Sequence, residues 1–327
     1  MKQQADLPPL LGESAALHAA LGHASAVAAL DRPVLICGER GAGKELLAAR
    51  VHFLSPRWKA PFVKLNCAAL SEDLLESELF GHEAGAFTSA QKRRLGRFER
   101  ANKGTLFLDE IATASARIQE KLLRVIEYGE FERVGGEATL TSDVRIVAAT
   151  NVDLKAAARD GAFRADLLDR LAFDVVWAPP LRERRADIPI LAAHFAAQMA
   201  AEMGARFDGF RPEAMAALLA HDWPGNVREL KNAAERSFFR AVADGESGPI
   251  SRVVIDPFPQ TMAPQSALQP AAAWPRDLRA ELDAMEKRLA GDALAACNGS
   301  QKEAAAALSL TYDQMRGLVR KHQLSRS

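Results

Sequence analysis

Five short apolar runs mark the first half of the chain: "PVLICG" (33–38), "PFVKLN" (61–66), "GTLFLDE" (104–110), "VRIVAATN" (144–151) and "FDVVWAPP" (173–180). Each is nearly continuous and bounded by turn residues, as strands buried on both faces of a parallel sheet are. Helix-like segments at Glu45 to Leu54 and Ile118 to Glu127 lie between them, so the alternation predicts an α/β sandwich ending near Pro180. From Asp187 to about Val242 the pattern is helical, broken at "GARFDGFRP" and "HDWPGNV". That predicts a small helical subdomain on the sheet, with a cleft between the two lobes.

Residues 257–277 carry five prolines and almost no charge, which predicts a linker. Beyond it the pattern from Leu278 to Leu324 is helical, interrupted at "CNGS" and "LSL", giving one long helix and two short ones. This is the rhythm of a helix-turn-helix. The expected organisation is a tail (1–9), an α/β subdomain (10–180), a helical subdomain (181–256), the linker (257–277) and an all-α DNA-binding domain (278–327).

The 327 residues suffice for about two domains, and 48% hydrophobic with 26% charged residues is ordinary for a globular chain. Formal net charge is zero, so any nucleic-acid contact has to come from a local basic surface. Cys37, Cys67 and Cys297 match no metal or disulfide spacing, which fits a reducing, cytoplasmic compartment. Neither a secretory signal nor an apolar run of membrane-spanning length is present, so no membrane insertion is expected.

The chemistry gathers at the strand ends. "GERGAGKE" follows the first run and opens a helix, as a phosphate-binding loop does. Gly38, Gly41 and Gly43 let backbone N–H groups of Glu39, Arg40 and Ala42 approach a polyphosphate, and Lys44 with the helix N-terminus supplies positive charge. Glu45 stands where a Ser or Thr normally holds Mg²⁺, so the metal has to rely on other ligands. Asp109 and Glu110 emerge at the end of "GTLFLDE", where one carboxylate can hold Mg²⁺ and its neighbour can polarise a water. An acidic pair after a strand is common by itself; beside the loop it points to a nucleotide.

Asn151 ends another strand and suits the γ-phosphate or a water, although a plain strand-end turn has the same look. Arg164 and Arg170 are six residues apart and do not share one helix face, so spacing alone leaves them equally compatible with ordinary surface arginines. In "WPGNVREL", Asn226 is a fair helix N-cap, and Arg228 in the first turn opposes the helix dipole, which suggests that it answers a phosphate or an acid.

Residues from about 10 to 242 resemble the AAA+ P-loop NTPase domain of bacterial enhancer-binding proteins, which activate σ54 RNA polymerase. The likeness runs through every motif above and through "GAFTSA" (85–90), similar to the family's GAFTGA loop. The resemblance implies an ATPase that assembles as a homo-oligomeric ring, a hexamer, with Lys44 in Walker A, Asp109 and Glu110 in Walker B, Asn151 in sensor I and Arg228 in sensor II. It further implies that Arg164 and Arg170 reach the neighbouring subunit's nucleotide and that Asn66 holds the catalytic glutamate off its water. Gly85, Ala86, Phe87, Thr88, Ser89 and Ala90 become the σ54 contact. Exposed Phe87 among small residues suits such an interface.

Ser89 departs from the family's glycine, and if that position needs positive φ the serine adds strain of order 1 kcal/mol. The phosphate loop begins at Gly38, which leaves no room for a receiver or sensor domain ahead of it, so control is expected in trans; the resemblance implies that it comes from a membrane-associated repressor and that Trp58 is the contact, although a half-buried loop tryptophan has the same look. In the tail, Ala305, Leu308, Leu310, Met315, Leu318 and Val319 form the expected core, and Thr311, Tyr312, Gln314, Arg316, Arg320 and Lys321 are left for enhancer DNA. Two other readings are a DNA-binding regulator that has lost its σ54 contact and a protein-remodelling chaperone, which the helix-turn-helix disfavours.

Overall fold

The computed structural model describes residues 10–87, 90, 92–258, 277–297 and 299–324. It divides into two compact units, Met1–Pro257 and Phe258–Ser327. In the first, α1 (Ala15–Ala28) precedes β1 (Val34–Cys37), α2 (Lys44–Phe53), β2 (Phe62–Asn66), α3 (Glu72–Phe80), β3 (Gly81–His82), β4 (Arg94–Leu95), α4 (Arg97–Arg100) and β5 (Thr105–Asp109). Then come α5 (Ala116–Tyr128), the hairpin β6 (Glu130–Glu132) and β7 (Thr139–Thr141), β8 (Arg145–Thr150), α6 (Leu154–Arg159), α7 (Ala165–Leu171) and β9 (Val175–Trp177). The five apolar runs are the five strands of one parallel sheet, in the order β2-β5-β8-β1-β9.

Successive side chains of a strand face opposite sides, and here both sides are covered. Leu106 and Leu108 of β5 point into a cluster with Leu75, Ile118, Leu122 and Leu167 from α3, α5 and α7. Phe107, between them, points into the other layer with Ala24, Val27 and Leu47 from α1 and α2. Asn66 pairs with Asp109 across β2 and β5, and Cys37 with Thr150 across β1 and β8. The carboxyl ends of the strands therefore finish level, where ligands bind in open α/β sheets.

The helical subdomain consists of α8 (Ile188–Glu202), α9 (Pro212–Ala220) and α10 (Asn226–Ala243). They close on Trp223, fully buried with its indole N–H donating to the Leu218 carbonyl at 2.8 Å. In the second unit α11 (Leu278–Ala296), α12 (Gln301–Ala307) and α13 (Tyr312–Lys321) pack around Ala290, Ala304, Ala305 and Met315, with Leu308, Leu318 and Val319 at the margin. Leu310 stays outside that cluster and Ala304 takes a place in it. No helix among the described residues is long and apolar enough to cross a membrane.

His52 gives the first unit a pH-dependent stability. Its ring stacks on Phe62 and Nδ1 lies 2.9 Å from the Thr105 hydroxyl, with the side chain fully buried. Burial, and then the nearby Arg145 guanidinium, lower its pKa from 6.5 to about 4. An unfolded chain binds this proton more readily, so the stability it confers is present above pH 6.5 and is lost as pH falls towards 4. Urea unfolding at pH 7 and pH 4 is expected to show about 3 kcal/mol less acid loss for His52→Phe than for the parent chain. Equal losses would show that His52 takes up its proton at the same pH in the folded and unfolded chains.

Candidate functional site

The loop from Gly38 to Glu45 leaves β1 and enters α2 at the level ends of the sheet. Gly43 has φ 99°, a conformation that disfavours a side chain. Gly41 has φ 77°, and a Cβ there would meet the Gly225 carbonyl oxygen at 2.3 Å, so the loop lies directly against the start of α10. The Val227 amide donates to the Gly41 carbonyl at 3.1 Å. Lys44 is buried; its ammonium donates to the Gly38 carbonyl at 3.0 Å and stands 3.7 Å from a Glu110 carboxylate oxygen.

A cleft of about 1090 Å³ opens beside the loop. Leu10, Leu11, Leu17, Pro179, Leu191 and Phe195 contribute apolar lining, and Lys44, Asn66, Asp109, Glu110, Asn151 and Arg228 contribute polar groups. Apolar lining with convergent charges fits a nucleoside polyphosphate. Glu110 sits at φ 53°, ψ 46°, a left-handed conformation that costs a non-glycine residue on the order of 1 kcal/mol and marks functional turns.

Burial, and then the neighbouring Glu110 carboxylate, raise the pKa of Asp109, while Lys44 opposes the rise. Two carboxylates thus share one ammonium, and a hard divalent cation with oxygen ligands suits the excess negative charge. Asp109 is placed to hold it. Glu45 lies 2.7 Å from the Lys64 ammonium. Asn66 donates to Asp109 Oδ2 at 3.5 Å and accepts from the Ala68 amide at 2.9 Å; its contact here is with Asp109, while Glu110 faces Lys44.

Sequence reasoning missed how the loop is held. The Asn226 side chain does not cap its own helix; the N-cap is Gly225, and Asn226 has φ 54°. Fully buried, it donates to Glu39 Oε2 at 3.0 Å and the Arg40 carbonyl at 3.1 Å, and accepts from the Leu181 amide at 2.7 Å. One amide therefore stitches the loop to the helical subdomain. Glu39 is also gripped by Arg182 at 2.6 and 2.8 Å, and hydrogen bonds from Arg182 and then Asn226 lower its pKa to about 2. Arg184, buried, donates to the Ala42 carbonyl at 2.8 Å. Asp187 accepts from the Glu13 and Ser14 amides and the Ser14 hydroxyl at 2.7 to 2.8 Å, pinning the leucine-bearing segment ahead of α1 to the start of α8. Only the left-handed φ of Asn226 had a local signal, in "PGN".

Arg164 and Arg170 do not line their own chain's cleft. Arg164 precedes α7 and pairs with Asp166 at 2.6 Å; Arg170, on α7, pairs with Glu127 of α5 at 2.8 Å. Both are more than 40% exposed, so they are available to another molecule.

The loop after β3 is a self-closed turn. The Gly85 amide donates to the Ala90 carbonyl at 2.7 Å and the Ala90 amide to the Phe87 carbonyl at 2.8 Å. Phe87 is 39% exposed, but it is no free-standing tip: its ring meets the His82 ring edge-on at 4.9 Å. Ala86 abuts Gly135, where an added Cβ would lie 2.8 Å from the alanine methyl. Arg133 bonds Glu83 and Glu99, which ties the base of the loop to the chain beyond β6. Thr88 and Ser89 lie outside the described residues, as do the 1–9 tail and most of the 257–277 linker. Trp58 is 40% exposed, with the Lys59 ammonium 4.9 Å from its ring centre.

In the second unit, Thr311 and Gln314 serve the helix that carries them. The Thr311 hydroxyl accepts from the Gln314 amide at 3.3 Å and Gln314 Oε1 accepts from the Thr311 amide at 2.8 Å, a capping box. Ser309, in the turn, has φ 56°, so a serine carries the conformation that glycine adopts at less cost. Lys321 pairs with Asp283 and Glu286 at 2.6 and 2.7 Å, while Tyr312, Arg316 and Arg320 face solvent.

A family model described as the Sigma-54 interaction domain matches residues 10–176, and one described as the AAA+ ATPase lid domain matches residues 182–265. The Psp operon transcriptional activator of Escherichia coli (strain K12) is 55% identical over 321 residues, 96% of this chain and 98% of that protein. The anaerobic nitric oxide reductase transcription regulator NorR of Aeromonas hydrophila is 44% identical over 320 residues, 96% of this chain and 63% of that longer protein. The crystal structure of NtrX from Brucella abortus in complex with ATP is similar with a TM-score of 0.71 at 33% identity, covering 96% of this chain and 69% of that one.

Proposed function

The chain belongs to the σ54 interaction family of AAA+ proteins, and from that premise we propose that it hydrolyses Mg-ATP to remodel the closed complex of σ54 RNA polymerase, activating the phage-shock, or membrane-stress, response from upstream enhancer DNA. The observation that carries the reading is the convergence of Lys44, Asp109, Glu110 and Arg228 on one cleft, with Gly85 and Phe87 exposed apart from it.

In this reading Lys44 and the loop amides bind the phosphates, and the leucines ahead of α1 take the base. Asp109 would hold Mg²⁺, which offsets phosphate charge when bound. Lys44 now shares its ammonium between loop carbonyls and Glu110; a phosphate that takes Lys44 leaves Glu110 to orient and deprotonate a water. Asn66 fixes the Asp109 carboxylate, Asn151 orients the terminal phosphate or water, and Arg228 carries the nucleotide's charge to α10. Arg164 and Arg170 serve the neighbouring subunit in a homo-oligomeric ring, a hexamer. Trp58 takes a membrane-associated repressor of the phage-shock protein A type.

Purified protein is expected to form open complexes on a σ54 promoter with ATP and none on a σ70 promoter. Failure on both, with ATP turnover intact, would favour a regulator without σ54 contact. For the tail, Arg320 is exposed on α13. Replacing it with Ala is expected to weaken enhancer binding across sequences and to reduce the magnitude of the slope of log affinity against log salt by about 1. An unchanged slope in a salt titration would remove Arg320 from the phosphate contacts.

A further inference from the structure

Glu76 is the one fully buried carboxylate that the proposed chemistry does not use among those on α3; it is 2% exposed, midway along the helix that leads into the 81–90 loop. A buried charge is retained at a cost that a packed leucine avoids, so its partners deserve an explanation. Both come from α5. Arg117 Nη2 lies 3.0 Å from Oε2, and Lys121 Nζ lies 2.6 Å from Oε1 in a direction too poor for a hydrogen bond, so that oxygen is held by charge alone. One turn earlier on α3, Glu72 accepts from the hydroxyl of Ser115, the N-cap of α5, at 2.6 Å.

These ties join two elements with different duties. A short turn over Ile111–Thr113 connects Glu110 to α5, so α5 starts at the acidic strand end. Helix α3 ends at Phe80 and passes straight into β3 and the loop; Lys121 also stands 5.6 Å from the Phe80 ring centre. We propose that Glu76 is a positioning residue that couples the acidic strand end to the loop, by making α3 follow α5 as one body. The charge sits inside and its cations reach in from the surface, so the seam keeps its register when the strand end shifts; an apolar seam slides at little cost. The proposal rests on the reading that this loop engages σ54.

The test uses the full chain and ADP with aluminium fluoride as the probe. Hydrogen exchange at residues 81–90 is measured with and without it, alongside ATP turnover and σ54 binding. Glu76→Gln is expected to keep turnover within about threefold while losing the exchange response of the loop and about tenfold or more in σ54 affinity. Since the buried variant can fail to fold, Arg117→Gln with Lys121→Gln, both on the outer side of the seam, is measured in parallel and is expected to behave the same way. A loop response at the parental level in either folded variant overturns the proposal, and so does a parallel fall in turnover and coupling. A parent chain whose loop ignores the probe overturns it too. If the parent loop responds but σ54 does not bind, the functional reading fails and the coupling through Glu76 is still decided by the exchange data.

Discussion

Arg170→Ala is expected to slow ATP turnover by about 10³-fold or more, because an arginine supplied to the transferring phosphoryl group is worth about 10³ to 10⁵ in rate. The argument is geometric. Arg170 stands on α7, is 59% exposed and does not line the cleft of its own chain, so within one molecule it has no phosphate to serve. Its partner Glu127 is on the surface of α5, and an exposed pair of this kind contributes little to stability. Loss of the arginine should therefore leave folding and nucleotide affinity nearly intact. The decisive measurement mixes Arg170→Ala with Asp109→Ala. Each inactive chain supplies what the other lacks, one an intact cleft and the other an intact arginine, so mixed assemblies should regain part of the turnover. Mixtures that never recover would place the arginine's action within its own subunit or nowhere.

The strands were legible because they are buried on both faces: "TLFLD" feeds Leu106 and Leu108 into one layer and Phe107 into the other, and nothing but a near-continuous apolar run can do so. Level strand ends then made the phosphate loop, the acidic pair and Asn151 neighbours, which local motif reading anticipates. The less legible features depend on distant parts of the chain. Asn226 reads as an N-cap in its own hexapeptide, and only the approach of Glu39, 187 residues away, turns its amide into a stitch. The segment from Leu10 to Leu17 has no motif at all; Asp187, more than 170 residues on, fixes it at the cleft. Thr311 and Gln314 are the converse case: exposed polar residues assigned to DNA by exclusion also cap the start of their own helix, a duty that spacing alone does not reveal.

Phe87→Ala is expected to leave ATP turnover within about twofold and to lower σ54 affinity by at least about 100-fold, the cost of losing a central aromatic anchor. The two effects separate because Phe87 does not line the cleft, whereas its ring is 39% exposed on a turn closed by its own backbone bonds. Its packing against His82 gives a second handle. That edge-on contact holds the ring against the loop base, and σ54 has to compete with it. His82→Ala should therefore weaken the stowed position and raise σ54 binding measured with ADP and aluminium fluoride, in the direction opposite to Phe87→Ala. Ser89→Gly, which restores the family residue, should hold or raise binding as well. Binding assays on the three variants, each checked for parental turnover, decide the point: a Phe87→Ala chain that still binds σ54 removes the aromatic from the interface, and a fall in binding for His82→Ala means that the histidine supports the engaged loop instead of holding it back.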